Sequence, residues 1–254
     1  MSSKSISDQL IAKSLAELSA PKQPQQRSRV WTSPVGYRYL VQWSNSVLLR
    51  HFIRLFTDSH IAREYKRKAQ LDDAGRSTVR NLEEGFKRAT TSEYLDFVGF
   101  SQGSLEEVKG DVRDLTDDGL LPSVRGSNLA GIGIDLGDFN RALRPRPQDY
   151  RKLEEGKEIE ETRGSYRSLK ETNKRGKQPP ESDQSFAYRP LSILYPPLSK
   201  VRAEDLTYEI FMELINKTDY LLRKLVESLE KKLASDQKAY QIDRARIRDK
   251  FRKK

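Results

Sequence analysis

Apolar residues recur at helical spacing in four long stretches of the chain. Each stretch gathers its apolar side chains on one face when residues are placed about 100° apart, and such a face must be buried against another element. We therefore predict an all-α fold: an antiparallel four-helix bundle with a long irregular insert before the last helix and a basic C-terminal helical extension. The four helices are expected at about Tyr37–Phe56, Ile61–Phe86, Thr90–Gly119 and Ala203–Leu233.

The third stretch has the strongest periodicity. It opens with TTSE, Thr90 to Glu93, which has the spacing of a capping box, in which the Thr and Glu side chains each bond the other's backbone. Its core positions then alternate in steps of three and four, which is the spacing of a heptad seam. The residues of this predicted seam are Val98, Ser101, Leu105, Val108, Val112 and Leu115.

Small residues occupy the core face of the second stretch, in the segment AGRSTVRNLEEGF. Ala74, Gly75, Thr78 and Gly85 lie on or beside the face that carries Leu82. Because a small side chain lets the backbone of a neighbouring helix approach closely, we predict tight packing there. The third stretch carries residues for which we expect the same: Gly99, Gly103, Ser104 and Gly110.

Polar residues interrupt the same two stretches beside their apolar faces. A carboxylate near a hydroxyl suits acid–base chemistry, but no histidine is near in sequence and no metal-ligand spacing is present. Buried polar groups must be hydrogen-bonded, and a network of them between helices fixes the helix register. We therefore interpret them as a structural polar network of Ser77, Asn81, Glu84, Ser104 and Glu107.

The helical pattern is lost between residues 120 and 200. This segment is first rich in glycine and then mostly charged, so we expect an irregular insert. Inside it, Ser185–Leu198 is an apolar strip that we expect to lie extended against the bundle. The chain thus divides into a mobile N-terminal arm (1–33), three bundle helices (34–119), the insert (120–200), the fourth helix (201–233) and a basic tail (234–254).

Composition and charge narrow the class of partner. The chain has no cysteine, no stretch of about 20 apolar residues and no apolar run near its start, so we expect a cytoplasmic protein that does not bind a membrane. The net charge is +10; residues 231–254 hold ten basic and three acidic residues, which supply +7 and leave +3 for the remainder. Such an end is typical of a protein that binds nucleic acid, although a segment that only aids solubility has the same composition.

Basic and aromatic residues interleave in the tail. Arginine binds phosphate bidentately, and an aromatic ring such as that of Tyr240 or Phe251 stacks on an unpaired base. This arrangement favours contact with the RNA backbone over reading of a base sequence. We predict no catalytic residue, cofactor or metal, and we predict nucleic-acid binding by Arg244, Arg246, Arg248, Lys250, Arg252 and Lys253.

Small and polar residues of the second and third stretches also carry a family resemblance. They are Ala74, Ser77, Asn81, Glu84 and Gly85, followed by Glu93, Phe97, Gly103, Ser104, Leu105 and Glu107. This pattern, which runs without gaps from Ala74 to Val112, resembles the hallmark of the four-helix-bundle family of ribosomal-RNA intervening-sequence proteins. The insert and last helix look like those of its suffix-type subgroup.

The resemblance implies a function as well as a fold. A relative in this family, the accessory variability protein of diversity-generating retroelements, forms a basic pentameric barrel that binds nucleic acid and a reverse transcriptase. The resemblance therefore implies a non-enzymatic homo-oligomeric adaptor, a pentamer, that binds RNA or a nucleoprotein partner. Two positions depart from the family pattern: Thr78-Val79 replaces the usual Ile-Pro, and Lys109 replaces the second Glu of an ELE triplet.

Two other functions stay open. The first is a protein-interaction scaffold without a nucleic-acid role, in which the 185–198 strip and the tail pack against a partner. The second is a helical ribonuclease, because Arg54 and His60 resemble the Arg-x4–6-His signature of HEPN ribonucleases. That reading requires the helix to break near Asp58 and Ser59, since residues six apart on a continuous helix point about 120° away from each other.

Overall fold

The computed structural model describes residues 35–145 and 191–252, together with Arg29 and Ser33. All regular structure in these residues is helical. Short 3-10 helices cover Gly36–Tyr39, Pro196–Lys200 and Ala203–Asp205. None of the described helices combines the length and apolar character that crossing a membrane requires. The α-helices are α1 (Val41–His60), α2 (Tyr65–Phe86), α3 (Thr91–Asp117), α4 (Leu136–Leu143), α5 (Leu191–Leu194) and α6 (Tyr208–Arg252).

The predicted seam of α3 is confirmed, because all six of its residues are buried. The predicted capping box is also confirmed. The Thr90 hydroxyl accepts a hydrogen bond from the Glu93 amide at 3.1 Å, and the Glu93 carboxylate accepts one from the Thr90 amide at 3.3 Å. The capping box supplies partners for amides that the first turn of a helix leaves unpaired.

Helix α2 lies between α1 and α3 and runs antiparallel to both. Toward α1, the Thr57 hydroxyl donates to Asp72 at 2.9 Å, and the Trp43 indole donates to Glu83 at 3.1 Å. Toward α3, Gln70 donates to Asp111 at 3.0 Å near one end of the pair. In both pairs, residues near the start of one helix meet residues near the end of the other.

Helix α6 packs against α1 and α3 on the side away from α2. The rings of Phe56 and Phe211 meet edge to face with centroids 6.2 Å apart. At the other end of the contact, the Thr91 hydroxyl donates to Asp236 at 3.1 Å. The first residue of α6, Tyr208, donates its amide to the carbonyl of Pro122 at 2.9 Å, so α6 is antiparallel to α3.

Residues 120–145 contain no regular element before α4, and they pack against the helices. Two carboxylates at the start of α6 hold the chain there: Glu209 accepts from the Val124 amide and Glu213 from the Leu129 amide, each at 2.8 Å. Residues 146–190 lie outside the described residues. The apolar side chains that enter the core from this segment are Leu121, Leu129, Ile134, Phe139 and Leu143.

The apolar strip predicted at Ser185–Leu198 is helical where the structure describes it, from residue 191 onward, and not extended. Its Tyr195 and Leu198 side chains are buried. The Tyr195 hydroxyl accepts a hydrogen bond from the Asp135 amide at 2.9 Å, which joins the strip to the start of α4. A helical turn satisfies its own backbone groups, whereas an extended strip needs a neighbouring strand.

The predicted close packing of small residues is confirmed on α2. A Cβ atom at Gly75 would lie 2.6 Å from Ile53 Cδ1 of α1, and one at Gly85 would lie 2.7 Å from Phe97 Cβ of α3. The same prediction is wrong for α3 within the described chain. A Cβ atom at Gly99, Gly103 or Gly110 would meet no atom within 4 Å, because these glycines lie on the outer side of the helix.

Substitution at Gly85 tests the close approach of α2 and α3. Gly85→Ala forces a methyl group against Phe97 and Tyr94, and overpacking of this kind costs about 1–3 kcal/mol. Since the gain in helix propensity is at most about 1 kcal/mol, we expect a net loss of about 1 kcal/mol in the free energy of unfolding, measured in urea. The matched control is Gly103→Ala, which has open space and should gain about 0.5–1 kcal/mol. Equal stability of the two variants would contradict the packing.

Candidate nucleic-acid interface

The basic end of α6 extends beyond the packed part of the protein. Asp236 of α6 contacts α3 through its hydrogen bond with Thr91. Beyond it, residues 237–242 and Arg244 are exposed. From Asp236 to Arg252 the helix continues for about 24 Å at 1.5 Å per residue. This exposed end includes two apolar side chains that do not enter the core, Tyr240 (39% exposed) and Ile242 (45% exposed).

The sequence explains why the exposed end stays helical. No glycine or proline occurs in α6, and alanine, lysine, arginine and glutamine are strong helix formers. Lys232 and Asp236 form an i,i+4 ion pair at 3.2 Å where the helix leaves the body. The packed first half of α6 also supplies a formed helix to extend, so the second half does not bear the cost of nucleation.

The residues predicted to bind nucleic acid belong to this end or follow it. The side chains of Arg244 and Arg246 are exposed. Lys253 lies outside the described residues. The remaining three occupy helical backbone positions: Arg248, Lys250 and Arg252.

Helical periodicity divides these residues between two sides of α6. Arg244, Arg248 and Arg252 are four residues apart and share one side, whereas Arg246 and Lys250 share the opposite side. The exposed side chains of Arg244 and Arg246, two residues apart on the helix, therefore offer positive charge in two directions. Such a helix can contact phosphates on both walls of a groove and needs no particular base sequence.

The five residues of the predicted polar network lie at the surface of α2 and α3. Glu84 and Glu107 are exposed, and Ser77, Asn81 and Ser104 are half-buried. Within the described chain, no side-chain hydrogen bond joins one of the five to another. The buried hydrogen bond between the two helices comes instead from the seam, where Ser101 donates to the carbonyl of Thr78 at 2.8 Å.

The Arg54 and His60 pair does not form a ribonuclease-like site. Helix α1 continues without a break through His60, so the expected break at Asp58 and Ser59 is absent and the two side chains diverge. The His60 ring stacks on Phe56, with centroids 4.9 Å apart and planes inclined by 10°. Among the residues that the structure describes, no group of histidine or carboxylate side chains is placed to hold a metal ion.

Two features of the surface were not predicted from the sequence. Arg29, which belongs to the segment expected to be a mobile arm, lies 4.2 Å over the Tyr94 ring and donates to the Gly85 carbonyl at 3.1 Å. Burial raises the pKa of the Tyr94 hydroxyl to about 12. The second feature is a cluster of arginines at the contact of α1 and α2, formed by Arg50 and Arg54 of α1 and Arg76 and Arg80 of α2. Neither is visible from spacing, because each depends on residues distant in sequence.

Comparison with protein-family models, with curated proteins and with solved structures finds no match to this chain.

The pH dependence of stability tests the environment of His51. Burial, together with the positive charge of Arg54, lowers the pKa of His51 below its ordinary value of 6.5. The unfolded chain therefore binds the proton more readily, and the stability that neutral His51 contributes is present above pH 6.5 and is lost as the pH falls below it. We expect the melting temperature to fall more between pH 7.5 and 5.5 in the native chain than in His51→Gln. An NMR titration that gives His51 a pKa above 6.5 would contradict this.

Proposed function

We propose that the four long helices, α1, α2, α3 and α6, form an antiparallel four-helix bundle, and that the protein is a non-enzymatic, homo-oligomeric RNA-binding adaptor of the cytoplasm. In this proposal residues 146–190 belong to a long insert before the last helix. The observation that carries the proposal is the exposed, basic end of α6.

The charge of this end supports binding to RNA. Guanidinium groups are weakly hydrated and match the geometry of phosphate oxygens, so they exchange water for phosphate at low cost. The exposed Tyr240 ring lies at the start of the basic run and is available to stack on an unpaired base. Most of the binding free energy then comes from release of counterions, which makes the affinity strongly dependent on salt.

The family resemblance supports an adaptor in place of an enzyme. We propose that the chain belongs to the ribosomal-RNA intervening-sequence protein family, whose small residues on the second helix correspond to Ala74 and Gly85, both buried here. No catalytic role is proposed for Arg54 and His60, because the unbroken α1 points them apart.

The outer face of α3 supports self-association. Phe100 is 59% exposed, and the neighbouring Gly99 and Gly103 leave open space above the helix backbone. A large exposed aromatic ring beside glycines, which leave the helix backbone accessible, is typical of a helix that packs against another protein. We propose that a second copy of the chain covers this face, and that the oligomer is the pentamer implied by the family resemblance.

A protein-interaction scaffold is the second candidate function. The exposed Ile242 and Tyr240 side chains favour it, because apolar residues on a projecting helix suit a groove of another protein. The two candidates differ in salt dependence, since an apolar interface does not weaken steeply as salt rises.

Removal of the tail charges tests RNA binding. The variant is the full chain with glutamine at the predicted residues Arg244, Arg246, Arg248, Lys250, Arg252 and Lys253. We measure affinity for a labelled structured RNA by fluorescence anisotropy across a salt series. For the native chain, the plot of log affinity against log salt concentration should have a slope of several units. In the variant the magnitude of this slope should fall by about 0.7–0.9 for each phosphate contact removed.

The control removes the same number of charges elsewhere, from the exposed residues Arg63, Lys66, Arg113, Arg125, Arg144 and Lys200. This control should keep most of the slope. Equal losses in both variants would mean that net charge alone drives binding. No binding by the native chain at low salt would refute the RNA-binding role and favour the scaffold.

Substitution of Phe100 tests self-association. Phe100→Glu places a charge on the outer face of α3, where a second copy would have to bury it, so we expect the oligomer to dissociate. Light scattering coupled to size exclusion measures the mass. The control is Val124→Glu, an exposed apolar residue outside this face, which should leave the mass unchanged. A native chain that elutes as a monomer at micromolar concentration would contradict the proposal.

A further inference from the structure

Helices α1 and α2 approach each other closely at Gly75. A Cβ atom at this position would stand 3.8 Å from the Cα atom of Arg50 and 2.6 Å from the end of the Ile53 side chain. Glycine at this position leaves room for the Ile53 side chain and lets the two backbones approach closely. The hydrogen bonds from Trp43 to Glu83 and from Thr57 to Asp72 fix the antiparallel register on either side of this contact.

This register brings four arginines together on the outer side of the two helices. Arg50 and Arg54 are one turn apart on α1, and Arg76 and Arg80 are one turn apart on α2. Burial lowers the pKa of Arg50, and the positive charges of Arg54, Arg80 and Arg76 lower it further while Glu83 acts in the opposite direction. Arg50 therefore lies within electrostatic range of the other three arginines. We call these four residues the arginine seam.

The arginine seam is poorly neutralised by the protein. Arg80 pairs with Glu83 at 2.7 Å, but that carboxylate also accepts the hydrogen bond from Trp43. Arg50, Arg54 and Arg76 form no ion pair with any residue that the structure describes. Like charges one turn apart on a helix repel each other, so the folded protein holds this cluster at a cost in stability.

The surface beside the seam carries further hydrogen-bonding groups. A shallow cavity of about 640 Å³ on α2 is lined by the two seam residues of that helix and by Ser77 and Asn81. A hydroxyl and an amide donate readily to phosphate and sugar oxygens. Asp73 and Glu84 line the same cavity and repel phosphate, so the seam itself is the part that suits an anion.

We propose that the arginine seam binds the phosphodiester backbone of RNA, as a second contact surface separate from the exposed end of α6. This inference rests on the proposed function, because RNA is its ligand. The two surfaces are distinct, since the seam lies between α1 and α2 and α6 packs against α1 and α3. Guanidinium forks from two helices form a site that recognises phosphate by charge and geometry and reads no base.

Substitution of the seam in the full chain tests this inference. Glutamine replaces Arg50, Arg54 and Arg76, and Arg80 is kept because it pairs with Glu83. We expect RNA affinity to fall at least about tenfold near physiological salt and the log–log salt slope to fall by about 2. The control carries glutamine at three exposed arginines away from the seam, so that its net charge is the same: Arg63, Arg113 and Arg125.

A melt followed by circular dichroism checks that the seam variant folds. Since the substitutions relieve repulsion, the variant should melt no lower than the control. If Arg50→Gln lowers the melting temperature because Arg50 is half-buried, the double variant with Arg54→Gln and Arg76→Gln replaces it. Both of these arginines are exposed, and the double variant should lose about 1 or more from the salt slope.

His51 gives a local readout that does not depend on affinity. Its ring is one turn from Arg54, whose charge contributes to the lowered pKa of His51. Phosphate bound at the seam offsets that charge, so RNA should raise the pKa of His51 in an NMR titration. The rise should persist in the variant whose tail charges are removed, at RNA concentrations that saturate it.

The outcomes separate this inference from the proposed function. If the seam variant binds RNA as the control does while the tail variant loses binding, the seam is not an RNA site and the proposed function stands. If the seam variant loses binding to poly-glutamate and not to RNA, the seam serves an acidic protein partner and the inference is overturned. If the native chain binds no RNA at low salt, the proposed function fails first and the inference falls with it.

Discussion

The structure depends on how closely α2 approaches its two neighbours. Gly75 removes the side chain that would separate α2 from α1, and Gly85 does the same toward α3. Interiors are close-packed, so a methyl group at such a contact must displace atoms that already fill the space. This close approach determines how the core packs on the inner side of α2. It also determines how the arginines align on the outer side, because Arg50 of α1 and Arg76 of α2 come near each other only when the two backbones are near.

The sequence is most informative where regular spacing meets a local motif. Helix α3 is predictable from its seam and its capping box, since both depend on residues within one helix. Residues 120–145 are not, because Leu121 and Ile134 follow no helical period and the segment is held by Glu209 and Glu213, more than 80 residues away. Contacts between residues so far apart in sequence cannot be predicted from the local spacing of apolar residues.

The candidate nucleic-acid interface also has one part that the sequence predicts and one part that it does not. The basic run in α6 is contiguous, so its charge is evident from the order of residues alone. The arginine seam is not contiguous: Arg54 and Arg76 are 22 positions apart, and Asp72, Asp73 and Glu83 lie among the arginines of α2. Along the chain, α2 carries mixed charge. Only the antiparallel register of α1 and α2 shows which arginines come together and which carboxylates are already engaged.

Helix α6 is one uninterrupted element of 45 residues, whose first part packs against the core and whose residues 237–242 are exposed. A flexible tether would let a bound partner sample all directions and would only raise its local concentration. A rigid rod instead fixes the direction in which the partner is held. If several copies assemble as proposed, each rod points along a direction set by its own core, so the geometry of the assembly also determines the arrangement of the rods.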